Sequence, residues 1–138
     1  MREILFRAKS IDYGEWKVGG IYQEPKDDIK EGLVFIISGS LTSLGNGWVV
    51  DPSTVGQYTG VTDRIGNKIF EGDILMTEYG PGELKWHDRG LTGWLIEFND
   101  KRLLLYSGKD YEVIGNIHES KELLNESHER ALACTFVR

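Results

Sequence analysis

Short apolar segments separated by glycine and polar residues dominate the chain, and this pattern predicts β-strands. A continuous apolar run covers residues 33–37 and lies between Gly32 and Ser38. Other strand-forming segments are residues 4–6, 48–50, 74–76, 84–86, 94–98, 103–106 and 111–114. Because many short strands alternate with turn signals, the sequence predicts a mainly β fold, either a barrel or a sandwich.

Two local patterns add detail to this outline. Residues 16–18 and 20–22 resemble the arms of a hairpin with Gly19 and Gly20 near its turn. Helical periodicity is convincing only from Ser120 to Leu132, where the Ser120 hydroxyl can cap the first turn. We therefore expect a short helix near the C-terminus, followed by a tail.

Residues 57–75, QYTGVTDRIGNKIFEGDIL, contain two turn signals. In the first, Asp63 can accept hydrogen bonds from backbone N–H groups, and Gly66 tolerates a positive φ. The second is the Glu-Gly-Asp of residues 71–73, after which an apolar strand begins. The glycines of this region are thus predicted to meet the needs of the backbone.

The same region does not match two known ion-binding loops. A phosphate-binding loop needs Gly-x-x-x-x-Gly-Lys-Ser/Thr ahead of a helix, whereas the sequence after Gly60 and Gly66 is strand-like. A calcium loop beginning at Asp63 would need an oxygen ligand at its third position, where Ile65 stands.

One enzymatic hypothesis stays open, in which Asp63, Glu71 and Asp73 converge around a divalent cation or act as an acid–base pair. The three histidines do not have the spacing of a helical metal site, and His87 and Asp88 point to opposite faces of a strand. Cys134 is the single cysteine and lies in the terminal segment. We expect no enzymatic activity, no cofactor and no metal site.

Charge gives little support for nucleic-acid binding at the sequence level. The chain has 16 basic and 22 acidic residues, a net charge of −6, and both halves are acidic. Contact with phosphates requires a basic cluster, and none is visible unless folding assembles one. The single cysteine excludes a disulfide framework, and the apolar runs are too short for a signal peptide or a membrane span. These features predict a cytoplasmic protein.

Three ordered motifs resemble the YopX family of phage and prophage proteins. The first is Arg-Glu-Ile-Leu-Phe-Arg-Ala at residues 2–8. The second joins QYTG at residues 57–60 to Phe-Glu-Gly-Asp-Ile at residues 70–74. The third is Glu-Val-Ile-Gly-Asn-Ile at residues 112–117, followed by a glutamate and a pair of leucines. The chain departs from the family pattern at Lys9, where an aromatic residue is common, and in its extension beyond residue 124.

This resemblance implies a phage or prophage origin, a β-rich fold and expression in the bacterial cytoplasm, and it implies no established activity. Glu71-Gly72-Asp73 and the strands after it are also similar to half-open barrels of the Src-homology-3 type, which host many functions. We expect one YopX-like domain over residues 1–138. Its parts are an N-terminal β segment at 1–56, a barrel-like core at 57–118, and a helix with a tail at 119–138.

The predicted function is that of a non-enzymatic, phage- or prophage-encoded binding or interaction module. Tryptophan and tyrosine are favoured both in cores and at contact surfaces, and the candidate binding residues are Tyr58, Asp73, Trp86 and Trp94. The expected partner is a protein of the bacterial host or the phage. The alternative is a nucleic-acid-binding regulator of phage DNA or RNA metabolism, in which exposed aromatics stack on bases.

The C-terminal segment suggests self-association. Thr135-Phe136-Val137 is a β-prone stretch, and an open barrel has strand edges that favour a covering segment or a symmetric partner. We expect this tail to dock on a barrel and the protein to form a homo-oligomer.

Overall fold

The computed structural model describes residues 3–28, 32–37, 47–90, 92–105 and 107–125. Strands account for most of the regular structure, which confirms the predicted mainly β class. They are β1 (Phe6–Lys9), β2 (Trp16–Gln23), β3 (Val34–Ile37), β4 (Gly47–Val50), β5 (Gly56–Thr62), β6 (Lys68–Phe70), β7 (Asp73–Thr77), β8 (Gly80–His87), β9 (Gly93–Glu97), β10 (Arg102–Leu104) and β11 (Glu112–Asn116). A 3₁₀ turn covers Pro52–Thr54, and helix α1 covers Glu122–Asn125.

The chain forms two compact units, Met1–Tyr58 and Thr59–Arg138. The strand order is β4-β3-β2-β1-β5-β6 in one sheet and β10-β9-β8-β7-β11 in the other. All the strand pairs with a defined register are antiparallel. Neither sheet closes completely, as the predicted half-open barrel type requires.

In the first unit the sheet curls back on itself. Ser10 forms an isolated antiparallel bridge with Val50, and the N–H of Ile11 donates to the Val49 carbonyl at 3.0 Å. Side chains alternate between the two faces of a strand, so one face of this curled sheet points inward. The inward side chains form a separate core whose buried members are Ala8, Val34, Ile36 and Val50.

Strand β2 corrects one expectation. Residues 16–23 form a single strand instead of a hairpin, and the Gly19-Gly20 pair lies in its middle. Gly19 is buried because it packs directly against the backbone of Ile37, where a Cβ atom would overlap the carbonyl oxygen. The glycine pair therefore serves close strand packing and not a turn.

In the second unit, the core lies on one face of the five-stranded sheet. Its fully buried side chains include Leu75, Leu84 and Ile96 on the three central strands, and Ile69 of β6 packs with them. The two predicted turns before this sheet are confirmed: Gly66 has a φ of 94° and Gly72 a φ of 89°. Only glycine adopts such angles without strain.

The C-terminal predictions are covered only in part. The structure places α1 at Glu122–Asn125, within the range that the sequence predicted for a helix. The described residues do not include the rest of that range, nor His128, Cys134 and the docking tail. Tail docking and the homo-oligomer therefore stay predictions. Within the described ranges, no helix has the length and apolarity needed to cross a membrane.

Candidate binding surface

Asp63 organises the turn between β5 and β6, as its sequence context predicted. Its Oδ1 accepts hydrogen bonds from the N–H groups of Ile65 (3.1 Å) and Asn67 (2.8 Å), and its Oδ2 accepts one from the N–H of Val113 (3.0 Å). Burial raises the pKa of Asp63, but these hydrogen bonds lower it by more, so the pKa lies below its ordinary value. The carboxylate therefore acts as a structural anchor that ties the turn to β11.

Two of the predicted binding residues lie inside the molecule. Asp73 is only 1% exposed, and its Oδ2 accepts a hydrogen bond from the N–H of Phe70 at 2.8 Å across the second turn. Tyr58 is also buried. Neither side chain is presented on the surface for contact with a macromolecule.

The divalent-cation hypothesis does not fit the geometry. Asp63 and Asp73 each direct an oxygen at backbone N–H groups of their own turns. In the part of the chain that the structure describes, no group of three or more acidic, histidine or cysteine side chains is arranged to hold a metal ion. Asp63, Glu71 and Asp73 therefore do not form the predicted cluster.

Trp86 and Trp94 are brought together, because they face each other across β8 and β9. Their ring centroids are 5.0 Å apart with an interplanar angle of 69°, the edge-to-face arrangement that aromatic pairs favour. Trp94 packs against the buried cluster of the second unit, whereas Trp86 is 49% exposed. Trp94 is thus mainly a core residue, and Trp86 is the part of the pair that a partner can touch.

The opposite face of β8 and β9 carries a network of charged side chains. Glu97 lies 3.4 Å from the Lys85 ammonium and 3.3 Å from Nε2 of His87, and Lys85 also lies 3.9 Å from Glu83. Burial raises the pKa of Glu83, and nearby Glu97 adds to this effect while Lys85 and Lys121 oppose it. Since charges of both signs neighbour one another here, the network is well explained as mutual pairing of charges on a partly buried sheet face.

The structure also reveals a surface that the sequence analysis missed, on the first sheet. The strand registers place alternate residues of β1 to β4 on the face opposite the core, and we call this the outer face. Its members are Arg7 and Lys9 on β1, Trp16, Val18, Gly20 and Tyr22 on β2, Phe35 and Ile37 on β3, and Gly47 and Val49 on β4. A hairpin over residues 16–22 would divide this row between two arms, so the predicted hairpin does not show it as one continuous surface.

The aromatic and apolar side chains of the outer face are partly or largely accessible to solvent. Tyr22 is 50% exposed and Val18 is 44% exposed, while Trp16 and Phe35 are half-buried. The Tyr22 and Phe35 rings pair across β2 and β3 with centroids 6.2 Å apart. The Arg7 guanidinium lies 5.1 Å from the centre of the Trp16 ring, within the range of a cation–π contact.

These features define a mainly β protein built from two antiparallel sheets, the first of which carries aromatic side chains on its outer face. The chain belongs to the YopX family: the family model described as "YopX protein" matches residues 5–125. This confirms the resemblance seen in the three sequence motifs. No curated protein matches the chain significantly.

A solved structure supports the fold. The chain is similar to protein EF1440 from Enterococcus faecalis, whose crystal structure matches with a TM-score of 0.55 at 25% sequence identity. The match covers 90% of this chain and 99% of that one. The similarity therefore extends over nearly the whole architecture, and it carries no assigned activity.

Proposed function

We propose that the chain is a non-enzymatic, phage- or prophage-encoded binding module and that the outer face of the first sheet is its binding surface. The observation that carries this proposal is the row of residues along one side of β2, which includes Trp16, Val18 and Tyr22. Tyrosine and tryptophan are enriched at binding hot spots because they bury a large area at a low cost in side-chain entropy.

Asp63, Asp73 and the charged residues of β8 and β9 in the second unit have structural explanations. The Asp63 carboxylate holds a turn, Asp73 accepts from Phe70 N–H, and the charges on β8 and β9 pair with one another. A binding function does not require any of these side chains to take part in a chemical reaction. The outer face instead presents the exposed Tyr22 ring and the half-buried Trp16 and Phe35 rings on regular strands, which suits recognition.

Two partner classes suit a bacterial cytoplasmic setting, a protein and a nucleic acid. Nucleic acid is the alternative that a specific observation favours, since folding places Arg7 and Lys9 together with the rings of the outer face. The sequence alone showed no such cluster, because the acidic residues are spread evenly along it.

Retention of a partner from bacterial extract tests the proposal. Immobilised wild-type protein is compared with Tyr22→Ser and with Trp86→Ser, a matched control because Trp86 is 49% exposed and Tyr22 is 50% exposed. The proposal predicts a retained component that Tyr22→Ser loses and Trp86→Ser keeps. Loss with Trp86→Ser alone, or equal retention by all three proteins, would contradict it. Treating the extract with nuclease shows whether the component is nucleic acid or protein.

A further inference from the structure

We infer that the outer face binds single-stranded nucleic acid, with bases stacked on its aromatic rings and phosphates near its two cations. This inference rests on the proposed function and names the ligand class of the same surface. Three features of the outer face support it: the aromatic rings, the basic side chains and an open position in β2.

The rings are arranged along two neighbouring strands. Trp16 and Tyr22 lie on β2, and Phe35 lies opposite Tyr22 on β3. Residues on one face of a strand repeat every second position, so Trp16 and Tyr22 are six residues apart and roughly 20 Å apart along the strand. Stacking of bases on such rings tolerates any sequence, because every base has a π face.

The charged residues within strands β1 to β4 are all basic. Strands β1 to β4 contain no aspartate or glutamate, and their charged residues are Arg7, Lys9 and Lys17. Lys17 lies on the core side, with its ammonium 4.6 Å from the centre of the Trp48 ring. Arg7 and Lys9 are therefore the charged side chains that these four strands place on the outer face, beside the rings. Basic side chains beside aromatic rings complement the phosphates and bases of a nucleic acid.

Gly20 leaves an open position between Val18 and Tyr22. A Cβ atom added at Gly20 would have only the Ile37 carbonyl oxygen within 4 Å, at 3.9 Å. The glycine is exposed, and no backbone requirement for glycine is evident, because its φ is not in the positive region. The gap gives a flat ring room to lie on the sheet beside Tyr22.

The location within the fold also suits this ligand. Partly open barrels that bind oligonucleotides use the outward face of their central strands together with adjacent loops. Here β2 and β3 are interior strands in the order β4-β3-β2-β1-β5-β6, and the sheet curls so that the aromatic side faces outward. Duplex DNA offers no unstacked bases, so the surface is expected to prefer single strands.

The experiment measures fluorescence anisotropy of a labelled oligothymidylate of about 12 nucleotides, within the site sizes of small barrels. The protein is the full chain, titrated between about 50 and 200 mM salt. Gly20→Thr fills the open position with a β-favouring residue and is expected to weaken binding roughly tenfold or more, with an unchanged melting temperature. Tyr22→Ser is expected to weaken binding by a similar factor. Tyr79→Ser, at a ring of the second unit that is 46% exposed, is the matched control and is expected to leave binding within about twofold.

The salt dependence tests the role of the cations separately. Two neutralised phosphates predict a slope of about −1.4 in log K against log salt for a single strand, and Lys9→Gln should reduce its magnitude by about 0.7. Binding of a duplex of the same length is expected to be much weaker. Equal affinity for the duplex, no binding at the lowest salt, or an intact affinity in Gly20→Thr would overturn the inference.

The outcome also separates the inference from the proposed function. A nuclease-resistant component that depends on Tyr22 in the extract, together with no oligothymidylate binding, would show a protein partner on the same face. The inference would then be wrong, while the proposed function would stand. If the protein retains no component of the extract and does not bind oligothymidylate, the inference and the proposed function are both contradicted.

Discussion

At the scale of single residues, Asp63 shows how a carboxylate in a turn-rich segment can be fully explained by the backbone. Its oxygens accept from three backbone N–H groups, and one of these belongs to Val113, 50 positions along the chain. The sequence predicted the local bonds from the Asp and Gly signals. It could not predict the bond to Val113, because that contact depends on the packing of β11 beside β7.

The lowered pKa of Asp63 makes stability depend on pH. Because the folded-state pKa lies below the ordinary value of 3.8, the ionised carboxylate stabilises the fold above that value. This stabilisation is lost as the pH falls through the lowered pKa. Asp63→Asn is expected to reduce the free energy of unfolding by about 1–3 kcal/mol at pH 7, measured by urea denaturation. The difference from wild type should shrink in strong acid, and Asp88→Asn, at an exposed position, is the matched control.

The ionised carboxylate of Glu83 is expected to reduce stability at neutral pH, which is opposite to the effect of Asp63. Its side chain is 17% exposed, and burial followed by the nearby Glu97 charge raises its pKa. An acid with a raised folded-state pKa destabilises the fold at pH values above that pKa, and the cost disappears as the pH falls below the unfolded value. Glu83→Gln should therefore unfold at a higher temperature than wild type at pH 7, with no gain at pH 3. A lower melting temperature at pH 7 would show that the pairing with Lys85 outweighs burial.

At the scale of elements, β2 contains two adjacent glycines with different roles. A Cβ at Gly19 would overlap the Ile37 carbonyl oxygen, whereas Gly20 has open space. Gly19→Ala should destabilise the protein by about 1–3 kcal/mol, and Gly20→Ala should be neutral or stabilising by up to about 1 kcal/mol. Thermal unfolding of the two variants measures the difference. Equal effects would contradict a continuous β2 with one inward and one outward glycine.

The same strand explains what the sequence could and could not predict about this element. Apolar runs and turn signals correctly indicated most strands, since those features depend on nearby residues. Gly19-Gly20 also has the composition of a hairpin turn, and local rules favour that interpretation. Only the pairing of β2 with both β1 and β3 shows that the strand is continuous.

At the scale of the whole molecule, the mainly β class followed from the apolar runs and turn signals and the family from three ordered motifs, whereas the outer face followed from neither. The chain is acidic along its length, so its sequence indicated no basic face. Strand registers bring Arg7 and Lys9 next to Trp16 and onto the same face as Tyr22. Such a surface depends on which face each residue occupies, and a shift of one residue in register would move the set into the core.

The most direct test of the central claim is hydroxyl-radical footprinting of the full chain, alone and with the component retained from bacterial extract. The account predicts that oxidation of Tyr22 falls severalfold in the complex, with smaller decreases at Trp16 and Phe35. Oxidation of Trp86, which is 49% exposed in the second unit, should stay unchanged. Protection of Trp86 with no protection of Tyr22 would contradict the claim that the outer face of the first sheet is the binding surface.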